Sequence, residues 1–126
     1  MKPQFLKSKT DDKITIIHSN ADLNIDGFTK LTPNTTDKGG EKHLPIFTIT
    51  DNKIEIAVGE ILHPMEDNHF INFIYLETNT GGHIRYLTPA DKPTATFTLA
   101  TNETPTAIYE HCNLHGLWKV EVKGQL

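Results

Sequence analysis

Between Leu44 and Val122 apolar residues recur at every second position, and turn-forming residues cut the pattern into short runs. Ile46–Thr50 alternates, Asp51-Asn52 turns, and Ile54, Ile56 and Val58 alternate again, which is the period and turn chemistry of a hairpin. The run His69–Glu77 sets Phe70, Asn72, Ile74 and Leu76 on one face and Ile71, Phe73 and Tyr75 on the other. Both faces are largely apolar, so this strand is expected to be central. Thr80-Gly81-Gly82 turns it into His83–Leu87. Ala95, Phe97 and Leu99 alternate with threonines, and Thr106–Tyr109 and Leu117–Val122 read as the last strands. No stretch carries the period of a long amphipathic helix. Short strands with turns at near-regular spacing imply an all-β fold, an antiparallel β-sandwich.

The 126 residues suffice for one domain with one core. Residues 1–40 are polar and irregular, with one clear strand at Lys13–His18 bounded by Asp11-Asp12 and Ser19-Asn20. Phe28–Gly40 is turn-like. The expected division is a small N-terminal β subdomain over 1–38 and a main domain over 39–126. Apolar residues make up 37% and mean hydropathy is −0.40. No apolar run approaches the roughly 18 residues of a membrane-spanning helix. Met1–Lys7 has no signal-peptide pattern, so the cytoplasm is the expected location. A net charge of −4 argues against a general nucleic-acid binder. It also attracts no anion from afar, so an anionic substrate would need a local cation.

Cys112 is the only cysteine, which excludes an intramolecular disulfide, and His115 follows it three positions later. A thiolate and an imidazole this close are natural ligands of one metal ion. Two other stretches complement them. Glu41-Lys42-His43-Leu44-Pro45 offers His43 on a backbone stiffened by Pro45. His63-Pro64-Met65-Glu66-Asp67-Asn68-His69 is a tight loop with a histidine at each foot. Four histidines and one thiolate exceed what structural zinc uses and suit a redox-active transition metal, iron first. His18, His83 and His111 lack this context and read as solvent-facing or packing residues. Met65 reads as loop packing, and Phe70 and Trp118 as core aromatics. Two other classes compete: a cupredoxin-like electron-transfer protein, whose site needs only two histidines, and a structural metal-binding domain with zinc.

The three motifs, in this order, closely resemble the superoxide reductase family, the desulfoferrodoxins and neelaredoxins, over about residues 40–120. The resemblance implies an immunoglobulin-like β-sandwich holding one non-haem iron per chain. It implies equatorial imidazoles from His43, His63, His69 and His115, an axial thiolate from Cys112, and Glu41 as a sixth ligand in the ferric state only. It implies one-electron reduction of superoxide to hydrogen peroxide, with Lys42 beside the open face. It further implies a rubredoxin-type electron donor. Desulfoferrodoxins also carry a small N-terminal iron site built from two cysteine pairs. Here Ser8, Asp11, Ile25 and Asp26 stand in those places. The segment thus resembles a desulforedoxin-type module without its metal, and such a module dimerises in relatives. With too few apolar residues for its own core, it implies a homo-oligomer, a dimer first.

Overall fold

The computed structural model describes residues 1–35 and 43–123. The chain divides into two compact units, Met1–Thr32 and Pro33–Leu126.

The first unit is a three-stranded antiparallel sheet in the order β2-β1-β3, from β1 (Lys2–Ser8), β2 (Ile14–Ser19) and β3 (Phe28–Leu31). The sequence announces only β2. In β1 the apolar residues Phe5 and Leu6 are consecutive rather than alternating, and both are buried at 2% exposure. A central strand covered on both faces loses the period-two signal. Pro3 also argues against a strand. It is tolerated because β3 pairs only Phe5–Ser8, leaving Pro3 opposite β2 alone. Phe28–Leu31, expected as turn, is drawn into the sheet by that pairing.

The second unit is a seven-stranded antiparallel sandwich of immunoglobulin-like form. One sheet runs β10-β9-β6-β7 and the other β4-β5-β8. Its strands are β4 (Pro45–Thr50), β5 (Lys53–Val58), β6 (Ile71–Thr78), β7 (Gly81–Tyr86), β8 (Thr94–Thr98), β9 (Pro105–Cys112) and β10 (Gly116–Glu121). Ile54, Ile56, Val58 and Ala95 from one sheet meet Ile71, Ile74, Leu76, Ile108 and Cys112 from the other in a shared core. β6 is central, paired with β7 on one side and β9 on the other. Its register with β9 shifts twice, between Ile71 and Phe73 and between Glu77 and Thr78, and the first shift lies at the metal-binding end. Ile71 faces Cys112 and Phe73 faces His111, so Asn72 is a bulged extra residue. The bulge places Ile71 in the core with Ile74 and Leu76, not on the face of Phe73 and Tyr75.

A carboxylate ties the far end of β6 to the β8–β9 connection. Glu103 accepts hydrogen bonds from the Ala100 N–H (2.9 Å) and the Thr78 hydroxyl (2.8 Å), and its Oε2 lies 2.8 Å from His83 Nε2. The Ala100 N–H holds its carboxyl below the usual glutamate range of 4.5; burial opposes this, and Thr78 and His83 add to it. A depressed folded pKa gives stability that is complete above the unfolded value and lost as pH falls through the folded one. Glu103→Gln is therefore expected to be less stable at pH 7 by about 1 kcal/mol. In urea titrations the difference should shrink steadily below the usual glutamate pKa; a pH-independent difference would show that the charge contributes nothing.

Candidate metal centre

Three loops bring the donors together, and each is shaped by its sequence. β9 and β10 are joined by Asn113–His115, with Gly116 opposite Cys112 in the register. Gly116 takes φ +86°, the left-handed conformation that lets so short a connection close. Cys112 has polar neighbours in sequence, His111 and Asn113, which suggest a loop. It is instead the last residue of β9, fully buried on the inward face with Ile108 and Glu110. His63 and His69 lie in the β5–β6 connection rather than at strand ends. His63 is anchored by its N–H to Val58 O (3.0 Å). Glu66 and His69 form a two-residue bridge, each N–H meeting the other's carbonyl at 2.9 and 3.0 Å. His43 precedes β4. Glu41 and Lys42 lie outside the described residues.

Donor atoms of His43, His63, Cys112 and His115 all lie within 4.8 Å of one another, about twice a metal–ligand bond. His43 Nε2 is 3.1 Å from His115 Nδ1, which is 3.8 Å from Cys112 Sγ. His69 is not among these four, but its ring adjoins those of His63 and His115. Ring centroids follow one another around a closed circuit: His43–His63 at 4.7 Å, His63–His69 at 4.7 Å, His69–His115 at 5.1 Å and His115–His43 at 4.9 Å. His63 Nδ1 is engaged by Pro64 O at 2.8 Å, which aims Nε2 at the cluster. The Nε2 atoms of His63 and His69 are buried without a hydrogen-bond partner. An unsatisfied buried polar atom costs about 1–3 kcal/mol, and two such nitrogens beside the cluster fit a site that holds a metal ion. Burial, with His69 and His115 beside it, lowers the His63 pKa, although the Pro64 bond pulls the other way. That favours the neutral imidazole a metal requires. Burial pushes the Cys112 thiol up, while the backbone N–H groups of Leu114 and His115 pull it down.

Beneath His43 sit two residues paired across β9 and β10, Glu110 and Trp118. Trp118 stacks on the His43 ring at 5.2 Å with an 8° interplanar angle. Glu110 is fully buried and its Oε1 lies 3.7 Å from His43 Nδ1. Burial holds its carboxyl well above the ordinary range. A carboxylate behind a ligating imidazole is a recurrent way to fix the tautomer and orientation of the ring. The sequence contains the signal for it. Glu110 alternates with Ile108 and Cys112, so a charged residue falls on the inward face of an apolar strand. His111, on the opposite face, packs on Phe73 (5.8 Å, 12°) and bonds Asn72 (2.7 Å), the packing role expected of it. Met65 is loop packing that also accepts the Ile71 N–H at 3.4 Å.

The family model for desulfoferrodoxin matches residues 35–121. The chain belongs to the desulfoferrodoxin family. It is 45% identical over 91 residues to the desulfoferrodoxin of Syntrophotalea carbinolica, covering 72% of this chain and 71% of that one. It is 32% identical over 111 residues to the superoxide reductase of Pyrococcus horikoshii, covering 75% and 96%. The superoxide reductase of Treponema pallidum has the same fold, with a TM-score of 0.78 over 95% of this chain and 98% of that one at 23% identity. The desulfoferrodoxin match thus includes every donor in the circuit.

Trp118 is the chain's only tryptophan. Because it stacks on a donor ring, a paramagnetic ion at this site should quench its emission. Titrating the metal-free protein with Co2+ is expected to quench tryptophan fluorescence with a break at one equivalent per chain. Unchanged emission at saturation would place the ion elsewhere.

Proposed function

We infer that this chain is a superoxide reductase, holding one non-haem iron and converting superoxide, one electron and two protons into hydrogen peroxide. The observation that carries this is the closed circuit of four imidazoles with one thiolate beside it. That donor set fits iron better than the competing readings. Structural zinc uses four ligands, and a blue-copper site uses two histidines. His43, His63 and His69 would bind through Nε2, His115 through Nδ1, and Cys112 through Sγ. Together they would give iron four imidazoles and one thiolate. Bound iron supplies the one-electron couple and the place where the anion binds, and a thiolate ligand adds electron density to it.

The chain's own residues govern the rest. Trp118 and the core around Cys112 exclude water from one side of the site. Glu110 stands behind His43, its Oε1 3.7 Å from Nδ1, and the positive charge of a bound ion would favour its ionised form. Lys42, placed beside the open face by resemblance, draws superoxide locally against the mild negative charge of the protein. By the same resemblance, Glu41 would serve as a ligand in the ferric state only. Since one iron stores one electron, each turnover needs an outside donor, and a rubredoxin-type protein is the proposed one. Residues 1–38 form a desulforedoxin-like unit without metal that joins two chains in a homodimer, with 39–126 as the catalytic domain. A thiolate ligand and a lone cysteine suit a reducing compartment, the cytoplasm.

Metal analysis is expected to give one iron per chain, with a visible thiolate-to-iron band on oxidation. Two irons per chain, or zinc alone, would overturn the assignment. Cys112→Ser should abolish the band and most reductase activity; survival of both would remove Cys112 from the ligand set.

The two loop charges should separate in pulse radiolysis. Lys42→Ala is expected to slow second-order capture of superoxide, and the wild-type rate should fall as salt screens the attraction. Glu41→Ala should leave capture nearly intact and alter the ferric spectrum. Capture by Lys42→Ala at the wild-type rate in low salt would exclude steering by Lys42.

A further inference from the structure

Asn113 stands between Cys112 and His115, yet its side chain turns away from both toward the β5–β6 connection. Its Oδ1 accepts the Phe70 N–H at 2.9 Å, and its Nδ2 donates to Asn68 O at 3.2 Å. Its own N–H donates to Phe70 O at 3.1 Å. One residue therefore grips the backbone on both sides of His69. The bridge between Glu66 and His69 only ties that loop to itself. The amide has one workable orientation, because reversing it would set donor against donor at Phe70 and acceptor against acceptor at Asn68.

The same three-bond pattern occurs at the other end of β6. Asn79 Oδ1 accepts the Thr104 N–H at 2.8 Å, Nδ2 donates to Asn102 O at 3.0 Å, and the Asn79 N–H donates to Thr104 O at 3.0 Å. That clamp joins two turns that carry no donor of the metal centre. The molecule thus contains a matched pair of clamps, one spanning the metal-binding loops and one remote from them.

We propose that Asn113 is a positioning residue of the metal centre. Its amide fixes His69 relative to Cys112 and His115, so that the donor from the β5–β6 loop arrives in register with those of the β9–β10 turn. The proposal rests on the reading of His69 as a ligand. Without the amide, the turn keeps its own two donors, but the backbone carrying His69 is released from them. A ligand held loosely binds less well, and losses of support behind a ligand typically cost about 10–100-fold in metal affinity.

Metal-free proteins titrated with Co2+ against a competing chelator, with thiolate-to-cobalt and d–d absorption recorded, provide the test. Asn113→Ala is expected to bind Co2+ about 10–100-fold more weakly, with shifted d–d bands. Asn79→Ala should keep wild-type affinity and bands while losing a comparable amount of stability in urea. Wild-type binding by Asn113→Ala overturns the proposal, as does an equal loss of affinity in Asn79→Ala. Should Asn113→Ala not fold, Asn113→Ser serves, its hydroxyl being too short to bridge both groups; weakened binding supports the proposal and wild-type binding overturns it. His69→Ala separates the two levels. If it binds Co2+ as wild type does, His69 is no ligand and both readings fall. If it binds weakly while the Asn113 variants do not, only the clamp falls.

Discussion

Where β6 meets β9, Ile71 stands opposite Cys112 and Phe73 opposite His111, so β6 carries one residue more than its partner. Everything at the metal-binding end follows from that bulge. The extra residue, Asn72, is not left unpaired: its side chain takes up His111 and its carbonyl accepts the Leu87 N–H. Ile71 is rotated into the core against Cys112, and the chain before it is aimed back over the β9–β10 turn. His69 is then two residues from a fixed point rather than adrift on a long connection. Bulges beside functional sites commonly re-aim side chains in this way. Here the bulge lets an apolar strand end at a polar cluster without interrupting the core.

The cluster is costly without an ion. Buried Nε2 atoms of His63 and His69, both oxygens of Glu110 and the Trp118 indole N–H accept or donate no hydrogen bond. At about 1–3 kcal/mol each, such groups rival the net stability of a whole domain. A bound ion accepts the imidazole lone pairs and supplies positive charge beside Glu110, so metal affinity and folding are coupled. The same accounting explains why the donors come from three separate segments. A preformed site of this kind cannot exist in the unfolded chain, and the sandwich must close before the ion is held tightly.

The sandwich was legible because strands of the β4-β5-β8 sheet are covered on one face only, which imposes alternation: Ile54, Ile56 and Val58 inward, Lys53 and Glu55 outward. The cluster of His43, His63, Cys112 and His115 was legible because a lone cysteine and paired histidines beside turns are rare in combination. Other features carry weaker signals. β1 is covered on both faces, so Phe5 and Leu6 show no period. The bulge at Asn72 changes which residues share a face, and nothing local marks it. Asn113 gave no signal at all, since an asparagine in a turn is ordinary and its partners, Asn68 and Phe70, are distant in sequence. Glu110 was visible in principle, as a charge on the inward face of a buried strand. Register decides such cases, and register is a property of pairs of strands.

The N-terminal unit holds its loops in the opposite way, mainly by contacts between near neighbours in the chain. After β1, the Ser8 hydroxyl meets the Thr10 hydroxyl at 3.0 Å and accepts the Thr10 N–H. Asp11 accepts the Lys13 N–H at 3.1 Å, and the Ser8 N–H reaches Lys13 O at 2.8 Å. Across the unit, the Lys9 N–H donates to Gly27 O at 2.9 Å, with Gly27 at φ +86°. These are local side-chain-to-backbone turns, the self-satisfying kind that serine and aspartate favour. Each contributes far less than a metal bond, but none needs a preformed ligand set, so the two loops hold their shape by short-range contacts alone. Serine and aspartate therefore keep the frame of this unit through turns that need no ligand from elsewhere in the chain.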